Sequence, residues 1–250
     1  MTTPRKHRRG VAPIEAAPAQ PTGGSDIADY LGAVISDAFS LLCVPGASVL
    51  GAAAKAALQA RQARRAEEAR HILLEELRAG RATQHTVELE ESADIALRYA
   101  RAVREGVGRI NLRMLAAVLA GQLAHEAVYA DEFYRWADSL AGLTTEEIVV
   151  LAGYLRHMPA DLPTARLVQL GAAVYHDIYG ADTARWGDFE AVRGALLRTG
   201  LLSISATGGA IGDGNSVVFA PTSKLQELGR LVELEGVLER SGLSRGGVHP

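Results

Sequence analysis

The chain has 250 residues, with 26 lysines and arginines against 29 aspartates and glutamates, so its formal net charge is −3. This balance excludes a globally basic nucleic-acid binder, though not a protein with one local basic patch. Apolar residues make up 48% of the chain and charged residues 22%, which is typical of a globular protein with a buried core. The single cysteine, Cys43, excludes an intrachain disulfide framework and predicts a reducing, cytoplasmic setting.

Residues 1–24 have the composition of a disordered tail, rich in Ala, Pro, Gln and Gly, which cannot bury much apolar surface. The segment has no apolar core of the kind that signal peptides carry. Its cations, Arg5, Lys6, Arg8 and Arg9, form the only concentrated basic patch of the chain. Two interpretations stay open: contacts with phosphate or anionic lipid, or a solvated chain end.

Residues 25–142 are expected to form a helical bundle, which begins with a hairpin rich in Gly and Ala. Apolar residues recur at helical spacing from Ile27, and Pro45-Gly46 interrupts them before a second helix begins. Residues 27–60 could form a buried hairpin or a membrane-inserted one. Each arm is shorter than the roughly 20 residues needed to span a bilayer, which favours the buried hairpin and argues against a membrane partner.

The second helix continues into a strongly charged segment, RQARRAEEARHILLEELRAG. Arg64 and Glu68 stand four residues apart, a spacing that supports a helix. We interpret Arg61, Arg64, Arg65 and Glu68 as an interaction surface for another protein or for a second copy of this chain. The alternative is an ordinary solvated helix face.

Three more helices are predicted between residues 86 and 141. Polar Asn111, Arg113 and Gln122 interrupt the apolar pattern of the middle helix. The positions whose spacing predicts a core are Ile95, Tyr99, Val103, Leu112, Leu115, Leu119, Leu123, Phe133, Trp136 and Leu140.

A domain boundary is expected near residue 142, because Gly142 ends one helix and a capping box, Thr144 with Glu147, begins the next. Residues 143–240 then read as three helices, two strands and one last helix over SKLQELGRLVELEGVLER, and residues 241–250 as a flexible C-terminal tail. The predicted fold class is therefore mainly α, with one β-hairpin near the C-terminus.

The C-terminal part resembles a winged-helix module. The resemblance rests on the third helix ending in Leu197, Gly200, Leu201 and Leu202, and on the strand-to-helix exit FAPTSKLQELGRLV. It implies that the third helix enters the major groove of DNA, with Arg185, Arg193 and Arg198 near the groove and the tail cations assisting.

Two features of this part depart from a DNA-binding module. The hairpin loop TGGAIGDGNS carries Asp213 as its only charge, and residues 143–250 hold nine lysines and arginines against twelve acidic residues. Groove binders neutralise phosphates with cations, so an acidic module favours contacts with protein partners.

No chemistry-bearing motif is complete in this sequence. Glu68 and His71 give one Glu-x-x-His where a di-iron bundle needs two, and His125-Glu126 lacks the second histidine of a zinc-protease motif. The Gly-x-Gly at 106–108 lacks its third glycine, and no nucleophile stands beside a candidate base. We expect no enzyme, metal, cofactor or small-molecule substrate.

The sequence thus favours a non-enzymatic regulatory or adaptor protein that associates with other protein chains or with itself. The alternative is a DNA-binding transcriptional regulator, and a further alternative is a membrane-associated protein that acts through the 27–60 hairpin.

Overall fold

The computed structural model describes residues 24–42, 52–79, 89–125, 129–159, 166–206 and 217–243. The α-helices of these ranges are α1 (Gly24–Leu42), α2 (Ala52–Ala79), α3 (Leu89–Glu105), α4 (Arg109–His125), α5 (Ala130–Leu140), α6 (Thr145–His157), α7 (Leu167–Tyr179), α8 (Trp186–Leu196), α9 (Ser223–Leu231) and α10 (Leu234–Arg240). Two strands, β1 (Leu202–Ala206) and β2 (Val217–Pro221), pair antiparallel, with Leu202 opposite Pro221. The predicted fold class, mainly α with one hairpin near the C-terminus, is confirmed.

Helix α4 lies at the centre of the fold, and every one of its residues from 111 to 123 is buried. The three polar residues that interrupt its apolar pattern, Asn111, Arg113 and Gln122, are buried with it. The Asn111 side-chain amide donates to the carbonyls of Leu140 and Leu143, both at 2.8 Å, and so fixes the turn between α5 and α6. Buried polar groups need such partners, since an unpaired one costs stability.

Helix α4 also packs against the C-terminal helices α9 and α10, across the boundary expected at residue 142. At Gly121 the α4 backbone approaches the carbonyl group of Leu231 so closely that a side chain there would collide with it. The guanidinium of Arg240 in α10 reaches back to the Glu76 carboxylate in α2, with Nε to Oε1 at 2.8 Å. The two parts of the chain therefore share contacts, and their division into domains stays a prediction.

The last predicted helix is in fact two helices, a correction to the sequence interpretation. Helix α9 ends at Leu231 because Val232 adopts extended backbone angles, with φ −130° and ψ 124°. The break turns Val232 and Leu234 into the core, where both are buried. Burial of these two apolar side chains offsets the helical hydrogen bonds that the break gives up.

Several predictions concern residues outside the described ranges: the N-terminal tail with its cations, the Pro45-Gly46 turn, the hairpin loop around Asp213 and the last residues of the chain. Within the described ranges, no helix combines the length and the apolar character needed to cross a bilayer.

Candidate interaction surface

Arg193, which the winged-helix resemblance places near a DNA groove, is instead inside the protein and only 5% exposed. Its guanidinium lies between two phenyl rings, 4.7 Å from the centre of the Phe189 ring and 4.5 Å from that of Phe219. It donates to the Tyr154 hydroxyl at 3.2 Å and forms an ion pair with Glu190, one turn earlier in α8. A phosphate could not reach this group from solvent, so Arg193 acts here as a core residue.

The absence of a side chain at Gly171 in α7 leaves space for this buried guanidinium. A Cβ at Gly171 would stand 2.6 Å from Nη1 of Arg193, so a larger residue would displace the guanidinium. Burial raises the pKa of the neighbouring Tyr154 hydroxyl, and the Arg193 charge opposes that shift. Tyr154 therefore stays protonated at neutral pH.

Arg198, a second predicted groove residue, connects the end of α8 to the start of α6. Its Nη2 donates to Oε2 of Glu147 at 2.8 Å and to the Gly142 carbonyl at 3.1 Å, while Nη1 also contacts Glu147. Glu147 and Thr144 form the capping box of α6, as predicted. The positive charge of Arg198 is thus compensated by a buried carboxylate.

The Glu147 contacts predict a pH dependence of stability. Burial by itself would raise the pKa of Glu147, but hydrogen bonds from Arg198 and Thr144 outweigh it and hold the pKa below the usual range. A carboxyl group with a lowered folded-state pKa stabilises the protein above its unfolded pKa of about 4.3, and this stabilisation is lost as pH falls through the folded pKa. We expect Glu147→Gln to reduce the unfolding free energy at pH 7, and this effect to diminish as the pH falls below about 4.3 toward the lowered folded-state pKa of Glu147. Urea denaturation at pH 7, 5 and 3.5 measures the difference, with exposed Glu146→Gln as the control. An equal difference at pH 7 and pH 3.5 would contradict the assignment.

Arg185, the third predicted groove residue, lies over the ring of Tyr179, with its guanidinium carbon 4.8 Å from the ring centre. Its nitrogens are 4.0 Å from a Glu146 oxygen and 3.8 Å from an Asp188 oxygen. The three arginines therefore lie in one region of the fold, and the structure pairs each of them with a carboxylate.

A cluster of aromatic rings lies beside Arg185 and Arg193, and sequence reasoning did not single it out as a site. The Tyr175 ring centre is 4.7 Å from that of Trp186, 5.2 Å from that of Tyr179 and 5.4 Å from that of Phe189. Tyr175 and Phe189 are buried, whereas Trp186 is 41% exposed. The sequence did contain one signal for this cluster. Only 5% of the residues of the chain are aromatic, yet all four members of the cluster lie between positions 175 and 189.

We call the solvent-facing rings of this cluster, together with the charged residues beside them, the α7–α8 surface. It is defined as Tyr179, Arg185, Trp186, Asp188 and Glu190. Its two carboxylates are more accessible than its one cation. The Asp188 and Glu190 side chains are 72% and 35% exposed, whereas the Arg185 side chain is 28% exposed and lies over the Tyr179 ring. The surface therefore offers aromatic faces to solvent with acidic groups beside them.

One more exposed apolar side chain belongs to this region. Ile204 in β1 is exposed and pairs with Phe219 in β2, the residue that covers Arg193 from the other side.

Burial, followed in size by the charge of Glu146, raises the pKa of Tyr179. Tyr179 is therefore a neutral phenol at physiological pH, able to donate a hydrogen bond to a partner.

The other predicted surface lies on α2, remote in sequence from the first. Arg65 donates to the Val107 carbonyl at 3.0 Å, and Glu68 forms an ion pair with Arg109 at 3.1 Å. Arg61 and Arg64 are exposed, like every residue from 56 to 64. This part of α2 has no covering element among the described residues, and its role in association stays a prediction.

A cavity of about 50 Å³ lies at the base of that exposed stretch, between α1, α2 and α3. Phe39, Ala66, Ala100 and Val103 contribute apolar walls, and Arg104 stands at its edge. Pockets for small-molecule ligands usually enclose about 300–1,000 Å³. In the described residues, no group of three or more His, Cys, Asp or Glu side chains is placed to hold a metal ion.

Comparison with known proteins finds no matching family model, no matching curated protein and no matching solved structure.

Proposed function

We propose that this chain is a non-enzymatic regulatory or adaptor protein of the cytoplasm, which binds a protein partner through the α7–α8 surface. The observation that carries the proposal is the exposed Trp186 beside Tyr179 and Arg185. Trp, Tyr and Arg are the residue types that dominate binding energy at protein interfaces. Rings held by a packed cluster also lose little conformational freedom on binding.

The partner that fits this surface is a protein segment with an arginine or lysine beside an aliphatic side chain. A cation can approach the exposed part of the Trp186 ring and also the carboxylates of Asp188 and Glu190. The aliphatic side chain would cover the exposed ring and displace water from it. A second copy of this chain is the other partner that the sequence leaves open.

Binding to DNA is the alternative function, and one observation favours it. Helices α6, α7 and α8 followed by the hairpin reproduce the element order that suggested a winged helix. The side chains that α8 exposes argue against it, because they include Asp188, Ala191 and Ala195. Phosphate contacts require accessible cations, and the arginines of this region are engaged with carboxylates.

A random peptide library displayed on phage tests the proposal on the full-length protein. We expect the enriched peptides to combine Arg or Lys with an aliphatic residue. Trp186→Ala should raise the dissociation constant of these peptides at least tenfold, since interface hot-spot residues cost about 2 kcal/mol or more when truncated. Tyr129→Ala is the matched control, since this ring is 60% exposed at the start of α5. We expect it to change affinity less than twofold.

Either of two results would overturn the proposal: no enriched sequence, or peptides that bind the Trp186→Ala protein as well as the native one. Fluorescence anisotropy with mixed-sequence duplex DNA over a salt series tests the alternative in parallel. Affinity that falls steeply with salt and is lost in Arg185→Ala would favour the DNA-binding regulator.

A further inference from the structure

We propose that residues 1–23 of this chain, the N-terminal segment, bind the α7–α8 surface and compete there with the partner. The inference rests on the proposed function, because it uses the same surface. The segment carries Arg5, Lys6, Arg8 and Arg9 with Glu15 as its one acidic residue, and Val11 and Ile14 follow the cations closely. It therefore combines the cations and aliphatic side chains that this surface fits.

The charges around the α7–α8 surface favour such a segment. Three carboxylates, those of Glu146, Asp188 and Glu190, lie beside two guanidinium groups. The Asp182 carboxylate accepts a hydrogen bond from the backbone N–H of Ala184, next to Arg185, so these four acidic groups exceed the two cations by two charges. The arginine partners are Arg185 and Arg193, and the second is buried. An arriving cation thus meets the exposed Asp188 carboxylate and the exposed part of the Trp186 indole, while Arg185 is only 28% exposed and lies near Glu146 and Asp188.

The length of the segment allows the contact within one molecule. Fourteen residues separate Arg9 from Gly24, where α1 begins, and an extended chain of that length spans about 46 Å at ~3.3 Å per residue. A compact chain of 250 residues has a radius of gyration of about 18 Å, so its opposite faces are about 45 Å apart. The segment must pass around the molecule rather than through it, so its cations can reach surfaces within about 46 Å of Gly24, which is about two thirds of the path to the opposite face.

Because the N-terminal segment is covalently attached to the rest of the chain, even weak contacts are enough for it to occupy the α7–α8 surface in part of the molecules. A flexible tether holds its end group at an effective concentration in the millimolar range. A segment that binds as a free peptide with a dissociation constant of about 1 mM would then occupy the surface in roughly half of the molecules. A partner must displace it, so its apparent affinity falls by about twofold or more.

Trp186 provides a direct readout on the full chain. The protein has two tryptophans, of which Trp136 is buried and Trp186 is exposed. Acrylamide quenching therefore reports mainly on Trp186. In about 20 mM salt we expect the variant with Arg5, Lys6, Arg8 and Arg9 all changed to Gln to show a quenching constant about 1.5 to 2 times that of the native chain. In about 0.5 M salt, where the Debye length is a few ångströms, the two constants should converge.

A synthetic peptide of residues 1–23 supplies the matched control. Added at millimolar concentration to the neutralised variant, it should restore the lower quenching constant, while a peptide with the four cations changed to Gln should not. Equal quenching of the native and neutralised chains at low salt would overturn the inference. Protection that increases with protein concentration would also overturn it, by assigning the contact to a second copy.

Failure of this inference and failure of the proposed function are separable. If the neutralised variant and the native chain are quenched equally but both still bind the selected peptides, only the N-terminal contact is wrong. If no peptide is selected while the quenching difference persists, the surface binds its own segment and the proposed partner function is wrong. If both hold, the neutralised variant should bind the selected peptides about twofold more tightly than the native chain does.

Discussion

Replacing Glu76 by alanine is expected to lower the free energy of unfolding by about 3–5 kcal/mol. Glu76 lies in α2 and is 2% exposed. Its carboxylate accepts a hydrogen bond from Arg113 of α4 at 2.8 Å and two from Arg240 of α10, at 2.8 and 2.7 Å. Without the carboxylate, the buried guanidinium of Arg113 keeps Glu75 as an acidic partner, but its Nη1 loses the acceptor that Glu76 supplies. Breaking a buried ion pair by removing one partner is strongly destabilising.

Urea denaturation followed by circular dichroism measures this effect. The matched control is Glu67→Ala in the same helix, where the side chain is 74% exposed and pairs with Arg70 at the surface. Exposed ion pairs contribute about 0–1 kcal/mol, so the control should change stability little. The double variant Glu76→Met with Arg113→Met should recover part of the loss, since it removes both buried charges. A loss below about 1 kcal/mol for Glu76→Ala would contradict the buried network.

The change Gly121→Ala should destabilise the protein by about 1–3 kcal/mol, although alanine is the better helix former. A Cβ on Gly121 would stand 2.8 Å from the carbonyl carbon of Leu231 and closer still to its oxygen. Both groups are backbone, so relief requires α4 to move away from the end of α9. The loss of unfolding free energy therefore arises at the contact between the central helix α4 and the C-terminal helices.

Gly194→Ala is the control with the opposite expected sign. Gly194 lies inside α8, and a Cβ there would have nothing within 4 Å. Replacing a helical glycine by alanine in open space should stabilise the protein by about 0.5–1 kcal/mol. Thermal unfolding of both variants, measured by calorimetry, separates the two effects. Stabilisation by Gly121→Ala would show that α4 and α9 are not in such close contact.

The Glu76→Ala and Gly121→Ala variants also test whether the N-terminal and C-terminal parts of the chain unfold together. Glu76 and Arg240 are 164 residues apart, and Gly121 and Leu231 are 110 apart. If both parts form one cooperative unit, each change should shift a single unfolding transition without splitting it. Two separate transitions would support the domain division that the sequence predicts at residue 142.

The sequence by itself determined the features that depend on neighbours along the chain. The helices follow from the 3.6-residue spacing of apolar side chains, and all ten core positions predicted between residues 95 and 140 are buried. The α6 start follows from Thr144 and Glu147, which are three residues apart and complete the capping box within one turn. Such interactions are local, so a pattern of residue types is enough to reveal them.

Only the tertiary structure decided which polar residues lie inside and which charges remain accessible. The sequence shows Arg193 as one arginine on a helix, but Gly171 of α7 and Phe219 of β2 enclose its guanidinium in the core. Likewise, the sequence shows Arg113 only as a polar residue that interrupts an apolar pattern. The fold brings Glu76 of α2, which Arg240 of α10 also contacts, to its guanidinium. The physical reason is that burial and charge pairing depend on elements far apart in the chain, so a basic residue becomes a binding group or a core group according to what packs against it.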